Sequence, residues 1–168
     1  MHNPSSDCAL MLRAMADGRL NEWQGLPANC TKADAEAALG PSEAGPDGVA
    51  SLEGSLAAFR RYPPTSAAPH GVQIWLRDDA VFAVEIMSPH LRRPFTELLG
   101  EPEAKERSAV GSVHTQWIYA SRGLVLHVQN ITNEVVRLYG FASCTLEAFR
   151  QLPWGRIEVR RVPLKRRN

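Results

Sequence analysis

Two β-prone runs with almost nothing between them constrain this chain most. Gly71–Arg77 (GVQIWLR) and Ala80–Met87 (AVFAVEIM) are rich in Val, Ile, Trp and Phe, and only Asp78-Asp79 separates them. Branched and aromatic side chains suit a pleated surface, and a two-residue link between such runs predicts an antiparallel hairpin. Aspartate lacks glycine's ease at positive φ, so the residues do not choose the turn type. Three more runs share this character: Val113–Ala120, Leu124–Asn130 and Val135–Phe141, joined by Ser121-Arg122-Gly123 and Ile131–Glu134. Val49–Glu53 and Ser55–Tyr62 read as two further strands either side of Gly54, although Leu52, Leu56 and Phe59 also fit a helical period. Arg156–Val162 alternates as a final edge strand.

Helices are short and fewer. Leu10, Met11, Ala14 and Met15 have helical spacing within Asp7–Arg19, with Gly18 as the stop. Thr31 caps a second helix: its hydroxyl meets first-turn amides, Asp34 complements the dipole, and Gly40-Pro41 ends it. Phe95–Leu99 and Leu146–Leu152 are two more, the latter capped by Thr145. Glu101–Ser112 reads as a polar loop. The expected architecture is α+β: one curved antiparallel sheet with short helices on one face, in a single domain spanning residues 1–168.

The sequence also hints at tandem halves, residues 20–90 and 91–162. Ala37-Ala38-Leu39-Gly40-Pro41-Ser42-Glu43-Ala44 matches Glu97-Leu98-Leu99-Gly100-Glu101-Pro102-Glu103-Ala104, and Ile74–Arg77 before Val81–Val84 matches Ile118–Ser121 before Val125–Val128. The second spacing is shorter by about one hairpin. On this matching Trp75 and Tyr119 are equivalent and opposite in phase to Ile74 and Ile118.

Cys30-Thr31-Lys32-Ala33-Asp34-Ala35-Glu36-Ala37-Ala38-Leu39-Gly40-Pro41 resembles the helix of the SmpA/OmlA outer-membrane assembly lipoproteins, and the order of elements is similar to the repeated module of β-lactamase inhibitor proteins. The resemblance covers about a dozen residues. Ala35 stands where the pattern prefers a larger aliphatic, and no lipid-accepting Cys stands near the start. What it implies is a sheet surface that binds another protein.

Composition narrows the function classes. The formal net charge is +1, which gives no global field for nucleic acid or membrane. Charge is uneven: Ala33–Glu53 holds five acids and no Lys or Arg, while Arg156–Asn168 holds six basic residues and one acid. Three cysteines at wide spacing form no disulfide framework and no zinc pattern. They suit a reducing compartment, with one pair open to bonding in an oxidising one. No run approaches a membrane span or a signal peptide, so the expectation is a cytoplasmic protein.

No phosphate loop, H-E-x-x-H, C-x-x-C or G-x-S-x-G is present. His114 and His127 fall on neighbouring strands, and His127 with Cys144 is the one pairing that offers an activated thiolate. The histidines lack a third partner for a metal site. Asp78-Asp79 is a solvated turn, and Glu85 implies a face partly turned to water. No cofactor is expected. Aromatics supply the functional hint: if Ile74 and Ile118 pack on the helices, Trp75, Trp117, Tyr119 and Tyr139 with Arg77 and Arg137 form an outward surface, and these residue types anchor interfaces. The expected function is therefore a non-enzymatic protein-binding module, such as an immunity protein that neutralises a bacterial toxin by occlusion. Two alternatives remain: a nucleic-acid binder using the basic tail, and an enzyme using Cys144 and His127.

Overall fold

A computed structural model describes residues 4–43, 47–52, 55–108 and 110–152. The elements run α1 (Pro4–Ala16), a 3-10 turn (Leu20–Glu22), α2 (Lys32–Leu39), β1 (Gly48–Leu52), β2 (Ser55–Tyr62), β3 (Val72–Arg77), β4 (Ala80–Met87), α3 (Phe95–Leu99), β5 (Ala104–Arg107), β6 (His114–Tyr119), a 3-10 turn (Ala120–Arg122), β7 (Leu124–Gln129), β8 (Val135–Phe141) and α4 (Leu146–Phe149). The expected edge strand Arg156–Val162 and the basic tail lie outside the described residues.

The eight strands form one open antiparallel sheet in the order β1-β2-β3-β4-β8-β7-β6-β5. Each half of the chain is thus a four-stranded meander, and the last strands of the two meanders pair. The β3–β4 hairpin turns on Asp78 and Asp79, both at positive φ, as a two-residue link between right-twisted strands requires. β5 (AKER) falls in the segment read above as a loop. Its polar sequence carries no apolar alternation, and pairing with β6 alone makes it a strand. Charged residues on such an edge also discourage pairing with foreign chains.

The register relates the two meanders by a pseudo-twofold. In β3–β4 it shifts after Trp75↔Ala83, and in β7–β8 after His127↔Arg137. Superposing these two bulges equates Trp75 with His127 and Glu85 with Tyr139. Across the preceding ladders it equates Tyr62 with Tyr119. Glu85 and Tyr139 are themselves cross-strand partners at the β4–β8 junction, so the pseudo-axis passes between them. Both tyrosines hydrogen-bond back to the preceding helical unit, Tyr62 Oη to Glu36 of α2 and Tyr119 Oη to the Gly100 carbonyl that ends α3. Gly40 and Gly100 close those helices in the same positive-φ conformation (83° and 72°). Leu39-Gly40 and Leu99-Gly100 both stand at a helix end. The equivalence of Trp75 with Tyr119 expected from the sequence does not hold, because β5 shifts the count by one strand.

Both faces of the sheet carry an apolar cluster. One packs against α1, α2, the first 3-10 turn and α3 through Leu12, Met15, Leu20, Ala35 and Phe95. The other carries a second apolar cluster, in which Phe149 of α4 joins Trp75, Ile118, Val125, Tyr139 and Phe141. Cys8 and Cys30, both fully buried, are joined by a disulfide that ties α1 to the entry of α2. The sequence leaves one pair open to bonding in an oxidising compartment, and the bonded pair is Cys8–Cys30. Two cysteines 22 positions apart carry no local signal of their pairing, and only the packing of α1 brings them together.

Candidate functional site

The expected outward aromatic surface does not form. Trp75 is 3% exposed, Tyr119 3% and Tyr139 1%. Ile74 and Ile118 do not share a face: Ile74 and Tyr119 lie under the helices, Trp75 and Ile118 in the opposite cluster. The period-2 alternation is right within each strand, but the phase between strands depends on register. Trp117 packs partly against Phe95 in an edge-on contact and lies beneath the Lys105 ammonium, 3.8 Å from the ring centroid. Of the six expected binding residues, Arg77 is exposed, stacked over Phe82, and Arg137 is partly exposed.

What the structure does assemble is a polar ledge across the pseudo-axis. Along one register row Arg61 of β2, Gln73 of β3, Glu85 of β4 and Tyr139 of β8 stand side by side. The adjacent row holds Met87, Arg137, His127 and Gln116. These positions share a face because pleat and register repeat together. Glu85, only 7% exposed in its side chain, accepts from Trp75 Nε1 at 2.9 Å and pairs with Arg137 Nε at 3.3 Å. A buried carboxylate is tolerated only with such partners. This explains Trp75: its indole edge donates to one Glu85 oxygen while Arg137 meets the other, so the ring is held inside. His127 meets the Tyr139 ring edge-on, and Ser108 Oγ lies 2.7 Å from its Nδ1.

The ledge opens to solvent at one end. A cavity of about 300 Å³ is lined by Arg61, His70, Gly71, Gln73, Glu85 and Met87. Arg61 Nη2 donates to Gln73 Oε1 at 3.2 Å. Met87 is 48% exposed. Only Glu85 of this set stood out in the sequence, as a lone charge in an apolar strand. Arg61, Gln73 and Met87 join it through pairing between strands.

The other candidates separate. Cys144 sits beside the second 3-10 turn, its amide bonded to the Ala120 carbonyl, whereas His127 stands in register with Gln116 and Arg137. Burial, with the Glu103 charge second, raises the Cys144 thiol above its ordinary value, the opposite of an activated nucleophile. The acidic segment is largely engaged: Asp47 holds Lys32 and Arg60, and Glu36 accepts from Ser42 and Tyr62. Among the described residues no cluster of three or more His, Cys, Asp or Glu side chains is placed to hold a metal ion, and no helix is long and apolar enough to cross a membrane.

No protein-family model matches the chain, and no curated protein matches it. Among solved structures it is similar to a DUF4309 family protein (YjgB) from Bacillus subtilis, at 14% identity over 82% of this chain and 99% of that one, with a TM-score of 0.44.

Proposed function

We propose that this chain is a non-enzymatic binding module that receives a group of a partner protein in the cavity at the open end of the polar ledge. The observation that carries the reading is the cavity itself: about 300 Å³, walled by Arg61, Gln73 and Met87 over a Glu85 already fixed by Trp75 and Arg137. Convergent polar groups on a rigid sheet, with an apolar wall, suit recognition. Arg and Met are enriched where protein surfaces meet. An immunity protein that occludes a toxin is one concrete form of this role. The buried Cys8–Cys30 bond favours an oxidising compartment over the cytoplasm, because such bonds persist outside reducing conditions.

The test is capture from the source organism with wild-type protein, with Met87→Glu, and with Leu10→Glu as a control on α1. A partner held by wild type and the control but lost with Met87→Glu supports the reading. Equal retention by all three overturns it.

A further inference from the structure

We infer that the cavity beside Glu85 takes a carboxylate, supplied by an Asp or Glu side chain of the partner; this rests on the binding role proposed above. The balance of donors and acceptors around the cavity points that way. Each of its side-chain carboxylate and amide oxygens already has a partner: Glu85 Oε1 faces Arg137, Glu85 Oε2 accepts from Trp75, and Gln73 Oε1 accepts from Arg61. Its donors are not used up. Gln73 Nε2 and the His70 ring, which carries one N–H donor beside its acceptor nitrogen when neutral, have no hydrogen-bond partner among the described residues. Arg61 has five N–H groups. Among the described residues one of its nitrogens, Nη2, donates to Gln73, and Nη1 stands 4.0 Å from Glu43 Oε1. That last pair is exposed on both sides (44% and 66%) and contributes little, so a better-placed carboxylate can replace Glu43 at low cost.

Charge agrees with the donor count. Glu85 and Arg137 cancel, which leaves the Arg61 guanidinium as the net charge on the wall. A cationic ligand would meet Arg61 and compete with Arg137 for Glu85. A carboxylate meets a planar fork of donors that matches its geometry. Met87, half exposed, offers an apolar surface along which the methylenes of a Glu side chain can lie.

The experiment is a chemical-shift titration of the full oxidised chain with the peptides acetyl-Ala-Glu-Ala-amide and acetyl-Ala-Gln-Ala-amide, and with propionate. The Glu peptide is expected to shift the Gln73 side-chain amide and the Gly71 amide. The Gln peptide is expected to bind about tenfold more weakly or worse, the loss of one charged hydrogen bond. Arg61→Gln should abolish the difference and Arg77→Gln should preserve it. Equal binding of the two peptides overturns the carboxylate assignment, as does the absence of any shift from the Glu peptide. Binding of propionate without the Glu peptide means that the cavity admits a free acid rather than a partner's group, and overturns it too. A partner captured in a Met87-dependent way alongside any of these failures leaves the binding role standing and removes only the ligand class.

Discussion

Reduction of the Cys8–Cys30 bond should cost this protein a large part of its stability. The two residues are 22 positions apart, and closing a loop of that length removes chain entropy worth roughly 3.4 kcal/mol at 25 °C. Both side chains are fully buried, so replacing them with alanine leaves small cavities but exposes little new surface. The bond holds α1 to a segment that is itself sewn to the β3–β4 turn: Val81 N donates to the Cys30 carbonyl and Lys32 N to the Asp79 carbonyl, each at 2.9 Å. Its loss therefore loosens the register of β4, the strand that carries Glu85. For a chain of this size each kcal/mol moves the melting temperature by about 2–4 °C, so Cys8→Ala/Cys30→Ala should melt about 7–14 °C lower. Urea denaturation with and without reductant, and of the double variant, measures this directly. Denatured but unreduced protein should show one titratable thiol, that of Cys144. Coincident unfolding midpoints, or three thiols in unreduced protein, would refute the reasoning.

Four other outcomes follow from the same contacts. Trp75→Phe keeps the ring but removes the donor to buried Glu85, and should cost about 1–3 kcal/mol in urea unfolding. Gly123→Ala should destabilise strongly, because φ is +61° and a Cβ would stand 2.0 Å from the Phe141 carbonyl oxygen; soluble yield and melting temperature check it. Asp47 is held below its ordinary value first by its bond to Lys32 and then by Arg60. A depressed carboxyl stabilises the fold above its unfolded value, near 3.8, and loses that contribution as pH falls through the lower folded value; Asp47→Asn should flatten the acid limb of the stability curve. Burial pushes Tyr119 up to about 12, so its absorbance change should appear only in strongly alkaline solution, and Tyr119→Phe should remove that transition.

The strands were legible where alternation was strong. VQIWLR, AVFAVEIM, LVLHVQ and VVRLYGF sit within the expected runs. β5 was not, because a charged edge strand has the composition of a loop. The phase between strands was the deeper gap. Ile74 and Ile118 look alike in sequence, yet the register row Ile74–Val84–Gly140–Leu124–Tyr119 puts Tyr119, and not Ile118, on the face of Ile74. A sheet with an apolar cluster on each face also removes the usual equation of aromatic with outward. Trp75 is buried for a reason no local pattern carries, its bond to a carboxylate on the next strand. The same holds for the candidate site, since Arg61, Gln73, Glu85 and Met87 lie on three strands and meet only through register.

Oxidative footprinting of Met87 puts the binding face to the most direct test. The residue is half exposed in the free protein and stands at the cavity wall. In the complex with the captured partner, peroxide should oxidise Met87 at least about tenfold more slowly than in the free chain, as burial of an accessible thioether requires. Unchanged oxidation of Met87 in a saturated complex would place the partner elsewhere and contradict the account.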